Sequence, residues 1–263
     1  MALQALKSLS CAMQVGVQSP PPLETELRRT KSSLTLNHKT VVIAVGHDAC
    51  TMMDTALNVF GDVSAEDAIA VTSHENHREI DGSEVLAASH PIPNAEGLDA
   101  SRIVTDKLTN SGVGTNVIAL ISDGASALLP SPVAGVSLND NIRINELLLA
   151  SDLNIYQINL VRQCISTLKG GGILRAAYPA VVHSFSTTRQ DILDPSVIGS
   201  GPSAGPLGTI ADARRLLIEK GLFTRLPRLV REFLENSSTP LEVPLAPPAK
   251  VVSLAPLTRL GVA

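Results

Sequence analysis

Aromatic residues are scarce in this chain of 263 residues: they make up 2% of it, and tryptophan is absent. Proteins that hold single-stranded nucleic acids commonly stack the bases on aromatic side chains, so no such platform is predicted. Basic clusters are also lacking, with 21 Lys and Arg residues against 25 Asp and Glu and a formal net charge of −4. Neither a nucleic-acid surface nor an anionic-membrane surface is therefore expected.

Cysteine is sparse as well. Cys11, Cys50 and Cys164 are widely spaced and form no Cys-x-x-Cys pair, so neither a zinc site nor a disulfide framework is predicted. No apolar run approaches the roughly 20 residues that a membrane-spanning helix needs, and the first 20 residues are a poor signal or transit peptide. We expect a cytoplasmic protein with no membrane partner.

The chain is rich in short aliphatic runs that alternate with segments of helical periodicity. Continuous apolar strands between helices are typical of a three-layer α/β/α sandwich with a largely parallel sheet and helices on both faces. Strands are predicted at 40–45, 68–72, 85–89, 116–122 and 180–185, and helices at 48–60, 97–108, 139–150, 155–168, 209–220 and 225–236.

Three segments are predicted along the chain. Residues 1–38 comprise a short helix at 1–18, ended by prolines 20–22, and a polar linker; residues 39–236 form the α/β domain; residues 237–263 are a Pro-rich tail. Within that tail, 250–254 has the composition of an added edge strand.

Three predicted strands end in small and polar residues, at 46–49, 122–126 and 184–189. In open α/β sheets, ligands bind at the carboxyl ends of the strands. Small residues at 122–126 let backbone N–H groups approach an anion at a helix N-terminus. The alternative is an ordinary tight turn with Ser126 as the N-cap.

A second candidate is the pair Arg162 and Lys169. They are seven residues apart, which is two helical turns, so they are predicted to share a helix face, where two cations suit a phosphate or carboxylate. The alternative is a solvated helix flank with a glycine cap. His90 is a candidate for binding substrate, with a merely structural role as the alternative. His74 and His77 lack further ligands, so no metal site is predicted there.

Taken in order, eight segments resemble the glycerate 2-kinase family whose second domain is called MOFRL. They are 89–97 (SHPIPNAEG), 120–129 (LISDGASALL), 132–138 (PVAGVSL), 147–151 (LLLAS), 159–162 (NLVR), 166–172 (STLKGGG), 194–203 (DPSVIGSGPS) and 209–213 (TIADA).

The resemblance implies a Rossmann-like fold and the transfer of the γ-phosphoryl group of ATP, with Mg²⁺, to the 2-hydroxyl of D-glycerate. It also implies roles for single residues. Ser122, Gly124 and Ser126 would cradle the anion, Arg162 and Lys169 would hold carboxylate or phosphate, and His90 would form part of the pocket wall.

The departures from the family pattern concern charge. His47 stands where the family has a functionally important lysine, and Arg189 stands where it has an aspartate. A mostly neutral imidazole is a poor substitute for a permanent charge, and a guanidinium repels Mg²⁺. Asp123 adds a negative charge to the anion loop, and 162–164 reads Arg-Gln-Cys in place of Arg-Lys-His.

The chain also ends where the MOFRL domain is expected. Two hypotheses follow. One is a glycerate 2-kinase-like protein, acting on glycerate and ATP, whose activity is weak or absent. The other is a non-catalytic or truncated subunit that binds a small anion or a partner chain. A separate MOFRL-like chain or a second copy of this chain are the partners expected.

Overall fold

The aliphatic runs form one parallel sheet. The computed structural model describes residues 21–35, 38–189, 194–237 and 250–254. Six strands lie in the order β3-β2-β1-β4-β5-β6, and every neighbouring pair is parallel. Their bounds are β1 Lys39–Val45, β2 Ala68–Ser73, β3 Glu84–Ala88, β4 Thr115–Ile121, β5 Val181–Thr187 and β6 Lys250–Leu254. The fold predicted from the sequence is confirmed, and residues 250–254 do form an edge strand.

The helices cover both faces of the sheet. Their bounds are α1 Pro21–Ser33, α2 Ala49–Phe60, α3 Ala95–Thr109, α4 Ala125–Leu128, α5 Leu138–Leu149, α6 Ile155–Cys164, α7 Gly172–Ala177, α8 Ile210–Glu219 and α9 Arg228–Asn236. Side chains of β1 alternate between two cores: Ile43 packs with α3, α4 and α7, whereas Val42 packs with α1 and α2. Helices α5, α6, α8 and α9 share a third core.

Two segments differ from the sequence-based prediction. The polar linker is in fact helix α1, and its Leu23 and Leu27 are fully buried. Proline is tolerated in the first turn of a helix, where the backbone N–H has no partner within the helix, so Pro21 can be the first residue of this helix. The helix predicted at 155–168 ends at Cys164, and α7 was not predicted.

The remaining predicted segments lie outside the described residues, namely 1–18 and most of 237–263. None of the helices in the described ranges combines the length and apolarity that crossing a bilayer requires.

The strand order reverses direction between β1 and β4. The chain builds outward from β1 through β2 to β3, then returns to place β4 on the other side of β1, with Val42 opposite Ile118. In open α/β sheets, ligands bind at the carboxyl edge where the strand order reverses, beside the loops after the two strands. Here these are the β1–α2 and β4–α4 loops, and we call the edge that they form the crevice.

Candidate functional site

The two loops of the crevice are joined by hydrogen bonds. The His47 N–H donates to the Asp123 carbonyl at 2.8 Å, and the Asp48 N–H donates to Ser122 Oγ at 3.1 Å. Gly46 has φ 128°, and a Cβ there would lie 2.6 Å from the Ser122 carbonyl, so only glycine permits this approach. Ser122 is fully buried, and its side chain holds the loops together.

His47 lies against the glycine of the β4–α4 loop. A Cβ added to Gly124 would come within 2.6 Å of His47 Nε2, so the missing side chain makes room for the imidazole. On the other side, the ring of His90 meets that of His47 edge-on, with centroids 4.4 Å apart. Asn76 Nδ2 lies 3.3 Å from His47 Nδ1. The structure therefore brings His47, Gly124 and His90 together.

Burial disfavours the charged form of both imidazoles. Burial lowers the pKa of His47 below its ordinary value, although Asp48 and Asp123 act in the opposite direction. Burial and the neighbouring His47 lower the pKa of His90 to about 4. This wall of the crevice consequently offers hydrogen bonds and no fixed charge.

Arg189 closes the crevice from the end of β5. Its guanidinium NH2 lies 2.8 Å from Asp48 Oδ1, and its backbone N–H donates to Asp123 Oδ2 at 2.8 Å. Thr188 Oγ1 donates to the other oxygen of Asp123 at 2.9 Å. Arg189 thus contacts both carboxylates of the crevice and connects the loops after β1, β4 and β5.

The crevice does not fit Mg²⁺. This ion requires carboxylate oxygens that are free to enter an octahedral shell, whereas both oxygens of Asp123 accept hydrogen bonds and Asp48 is paired with the Arg189 guanidinium, whose charge repels the ion. The described residues also contain no cluster of three or more His, Cys, Asp or Glu side chains suited to a metal ion.

The β4–α4 loop differs from both sequence-based interpretations. Gly124, with φ 87°, is the N-cap of α4, so the prediction of Ser126 as the N-cap is wrong. Helix α4 has only four residues, and so short a helix supplies little of the dipole that a phosphate-binding helix terminus provides. Ser126 lies inside this turn and is half-buried.

Lys169 is a buried cation below the same edge of the sheet. Its side chain is 6% exposed, and its ammonium donates to the Leu129 carbonyl at 3.2 Å. Burial, together with the charge of Arg162, lowers the pKa of Lys169 to about 7. Lys169 also lines a small cavity of about 10 Å³, together with Val45, Ile121 and Gly199. The ammonium therefore lies close to the strand ends that form the crevice.

Arg162 is the second cation, but it does not share a helix face with Lys169. Helix α6 ends at Cys164, and Lys169 follows in a turn whose Gly170 and Gly171 have positive φ, so the spacing of two helical turns does not apply. Arg162 Nε donates to Asn145 Oδ1 at 2.7 Å, and burial lowers its pKa to about 10. Within the described ranges, no carboxylate lies within ion-pair distance of either cation.

A buried polar group lies next to α4, in the small-residue segment 200–203 that the sequence offers as a further candidate, but its contacts were not predicted. Ser200 is 1% exposed and has φ 65°, and its Oγ lies 2.9 Å from Ser126 Oγ and 2.8 Å from Asn159 Oδ1. Gln163 donates to the carbonyls of Ser196 and Ser200. The signal in the sequence was Gly-Ser-Gly at 199–201, which marks a turn where left-handed conformations are needed.

A family profile matches residues 2–235, almost the whole of the described domain. The chain belongs to the DUF4147 family. The family's description is a domain of unknown function, so membership fixes the fold and leaves the chemistry to be argued.

Relatives of this DUF4147 domain bear two kinds of name. The chain is 33% identical to a putative hydroxypyruvate reductase of Agrobacterium vitis, over 76% of this chain and 45% of that protein. It is 33% identical to the glycerate 2-kinase of Pyrococcus horikoshii, over 75% and 44% of the two chains. The crystal structure of glycerate kinase from Thermotoga maritima superposes with a TM-score of 0.72 at 26% identity, covering 88% of this chain and 54% of that one. The chain thus spans about half the length of these relatives.

Proposed function

We propose that this DUF4147 domain is a glycerate 2-kinase-like domain that binds a small hydroxy-acid anion and performs phosphoryl transfer from ATP weakly or not at all. The observation that carries the proposal is the ion pair between the Arg189 guanidinium and Asp48. The guanidinium of Arg189 stands where the resemblance implies a carboxylate.

Phosphoryl transfer depends on positioned charge. A kinase site neutralises the developing charge with metal ions and cations, and a further group orients the acceptor hydroxyl. At the position of the expected lysine this domain has His47, whose pKa is lowered by burial, and the Arg189 guanidinium is paired with Asp48. Removing one preorganised electrostatic group costs about 10²–10³ in rate, so two such changes leave little turnover.

Anion binding is supported by the uncompensated cations. Among the described residues, Lys169 donates only to a carbonyl and Arg162 only to an amide oxygen, whereas buried cations are ordinarily paired with carboxylates. A carboxylate or phosphate ligand supplies the missing charge. In this arrangement Ser122 holds the two loops, Gly124 makes room for His47, and His90 forms the outer wall.

The name hydroxypyruvate reductase suggests hydride transfer as a second activity. The strand order of this sheet is indeed the one found in dinucleotide-binding domains. However, the turn after β1 reads Gly46-His-Asp-Ala-Cys-Thr, which lacks the G-x-G-x-x-G pattern that brings the backbone close to a pyrophosphate. The site therefore favours the kinase-like assignment.

The test is a thermal-shift titration with D-glycerate, inorganic phosphate and Mg-ATP, followed by an ATP-consumption assay with D-glycerate. A ligand that binds the native state raises its stability by RT ln(1 + [L]/Kd). We expect a shift with D-glycerate that EDTA does not change, and no glycerate-dependent ATP consumption. Turnover of about 1–100 per second, which is ordinary for kinases, would contradict the proposed loss of catalysis. The same assay with a separately expressed MOFRL-like chain tests whether a partner restores activity.

A double variant tests the role of the two substituted positions. His47→Lys with Arg189→Asp introduces the permanent cation and the carboxylate that the family pattern has, so we expect a thermal shift with Mg-ATP to appear. Arg102→Asp makes the same charge change as Arg189→Asp on the exposed face of α3 and is the control. If the double variant gains no nucleotide affinity, the crevice itself has been lost and the proposal of a disarmed kinase site is wrong.

A further inference from the structure

A chain of three side chains runs from the core to the crevice. Asn159 Nδ2 donates to the Val197 carbonyl at 3.1 Å, and Asn159 Oδ1 lies 2.8 Å from Ser200 Oγ. Ser200 Oγ in turn lies 2.9 Å from Ser126 Oγ. Asn159 and Ser200 are each 1% exposed, whereas Ser126 is half-buried in the turn after β4.

In this series of hydrogen bonds, the Val197 carbonyl determines which atom is the donor in each bond. A carbonyl only accepts, so Asn159 must turn its NH₂ toward Val197 and its oxygen toward Ser200. Ser200 has one proton, and the Asn159 oxygen takes it. Ser126 must therefore donate its own proton to Ser200. What remains on Ser126 Oγ is lone pairs.

The backbone at Ser200 indicates that this hydroxyl has a role. Gly199, Ser200 and Gly201 have φ values of 59°, 65° and 66°, and the left-handed region disfavours every residue with a Cβ. Glycine would adopt this conformation without strain. A serine at this position is strained, but its hydroxyl donates to Asn159 Oδ1 and accepts the proton of Ser126.

We propose that Ser126 is a positioning residue that accepts a hydrogen bond from a hydroxyl of the bound hydroxy acid and does not donate to an anion. This inference rests on the proposed function and changes the part Ser126 plays in it. Lys169 and Arg162 bind the carboxylate or phosphate of the ligand, and Ser126 accepts a hydrogen bond from its hydroxyl. The site then discriminates by whether the ligand carries a hydrogen-bond donor at that point.

Fluorine analogues of glycerate separate accepting from donating. Replacing a hydroxyl by fluorine removes the donor and keeps a weak acceptor, so we would titrate 2-fluoro-3-hydroxypropionate and 3-fluorolactate beside D-glycerate and measure Kd by calorimetry. Fluorination of the hydroxyl that meets Ser126 should weaken binding about fivefold, the usual effect of losing one hydrogen bond. Equal affinity for glycerate and both analogues would overturn the inference.

Two variants test whether Ser126 and Ser200 cause that discrimination. Ser126→Ala should reduce the affinity ratio between glycerate and the sensitive analogue to about one. Ser200→Gly suits the local backbone and frees the Ser126 proton to point outward, so it should also bring the ratio toward one. Ser111→Ala is the matched control: it removes a buried serine hydroxyl that donates to a carbonyl at the opposite edge of the sheet, and the ratio should not change.

A measurement without ligand tests the hydrogen bond between Ser126 and Ser200. Unfolding free energies of Ser126→Ala, Ser200→Gly and the double variant form a double-mutant cycle, and the two changes should be non-additive. Additive changes would overturn the inference even where glycerate binds. If the wild-type domain binds neither D-glycerate nor phosphate, the proposed function fails and the inference fails with it. If glycerate binds and Ser126→Ala leaves the ratio unchanged, only the inference fails.

Discussion

Asp67 and Lys169 are buried charges at opposite edges of the sheet, and their surroundings differ. At the amino edge, Asp67 lies 2.8 Å from Lys39 Nζ and 3.3 Å from Lys107 Nζ. Burial raises the pKa of Asp67, but hydrogen bonds from Lys39, Ser64 and Lys107 outweigh it and hold the pKa below its ordinary value. At the carboxyl edge, Lys169 is buried with a carbonyl as its only hydrogen-bond acceptor among the described residues.

This difference separates a structural charge from one that awaits a ligand. A paired buried charge is satisfied in the folded state, whereas an unpaired one pays for desolvation without compensation. We infer that Asp67 at the amino edge stabilises the fold and that Lys169 at the carboxyl edge lowers stability and favours ligand binding. Three measurements bear on this inference.

The largest effect should be a dependence of stability on pH. The pKa of Lys169 is about 7 in the folded state and about 10.4 in an unfolded chain, so the unfolded state binds more protons between these values. Stability therefore rises as pH increases through this window, by about 1.4 kcal/mol per unit. Chemical denaturation at pH 7 and pH 9 should show a rise of about 2 kcal/mol that Lys169→Met abolishes. Parallel curves for the two proteins would show that Lys169 is not an uncompensated cation.

The next effect concerns affinity. Lys169→Met should weaken D-glycerate or phosphate binding at pH 6.5 by about tenfold or more, because a hydrogen bond from a charged donor is worth about 1.5–3 kcal/mol. Lys107→Met removes a lysine at the amino edge, and calorimetry should find its affinity unchanged. A similar loss in both variants would contradict the distinction between the edges.

The smallest effect should come from Asp67→Asn. Its lysine partners remain partly exposed, with side chains 54% and 25% accessible for Lys39 and Lys107, so solvent limits the loss of stability to about 1 kcal/mol. Asp62→Asn, at an exposed carboxylate on the loop before β2, is the control and should change stability little. A drop in anion affinity for Asp67→Asn would mean that the amino edge contributes to binding.

The sheet could be predicted from the sequence because its signal is local. The runs at β1, β2 and β4 are aliphatic and almost wholly buried, and that pattern is typical of strands covered on both faces. Helix α1 was missed because its prolines were interpreted as a stop, although the first turn of a helix accepts them. Helix α7 was missed because Gly172, its first residue, follows two glycines and resembles a loop.

The site was predictable only in part, because its contacts are long-range. The rule that ligands bind at strand ends indicated the segments that contain His47 and Gly124. The pairing of Arg189 with Asp48 depends on where β5 lies relative to β1, and that placement requires the strand order. The burial of Lys169 depends on the turn at Gly170 and Gly171. Spacing along a helix wrongly placed Lys169 on one helix face with Arg162, because the helix ends at Cys164.

The ion pair between Asp48 and Arg189 joins residues 141 positions apart in the chain. Contacts of such separation form only after the intervening chain has been organised, because loop closure must precede them. We expect the crevice to be assembled late in folding and to open early in unfolding. A substitution at Asp48 should then accelerate unfolding while leaving the folding rate nearly unchanged.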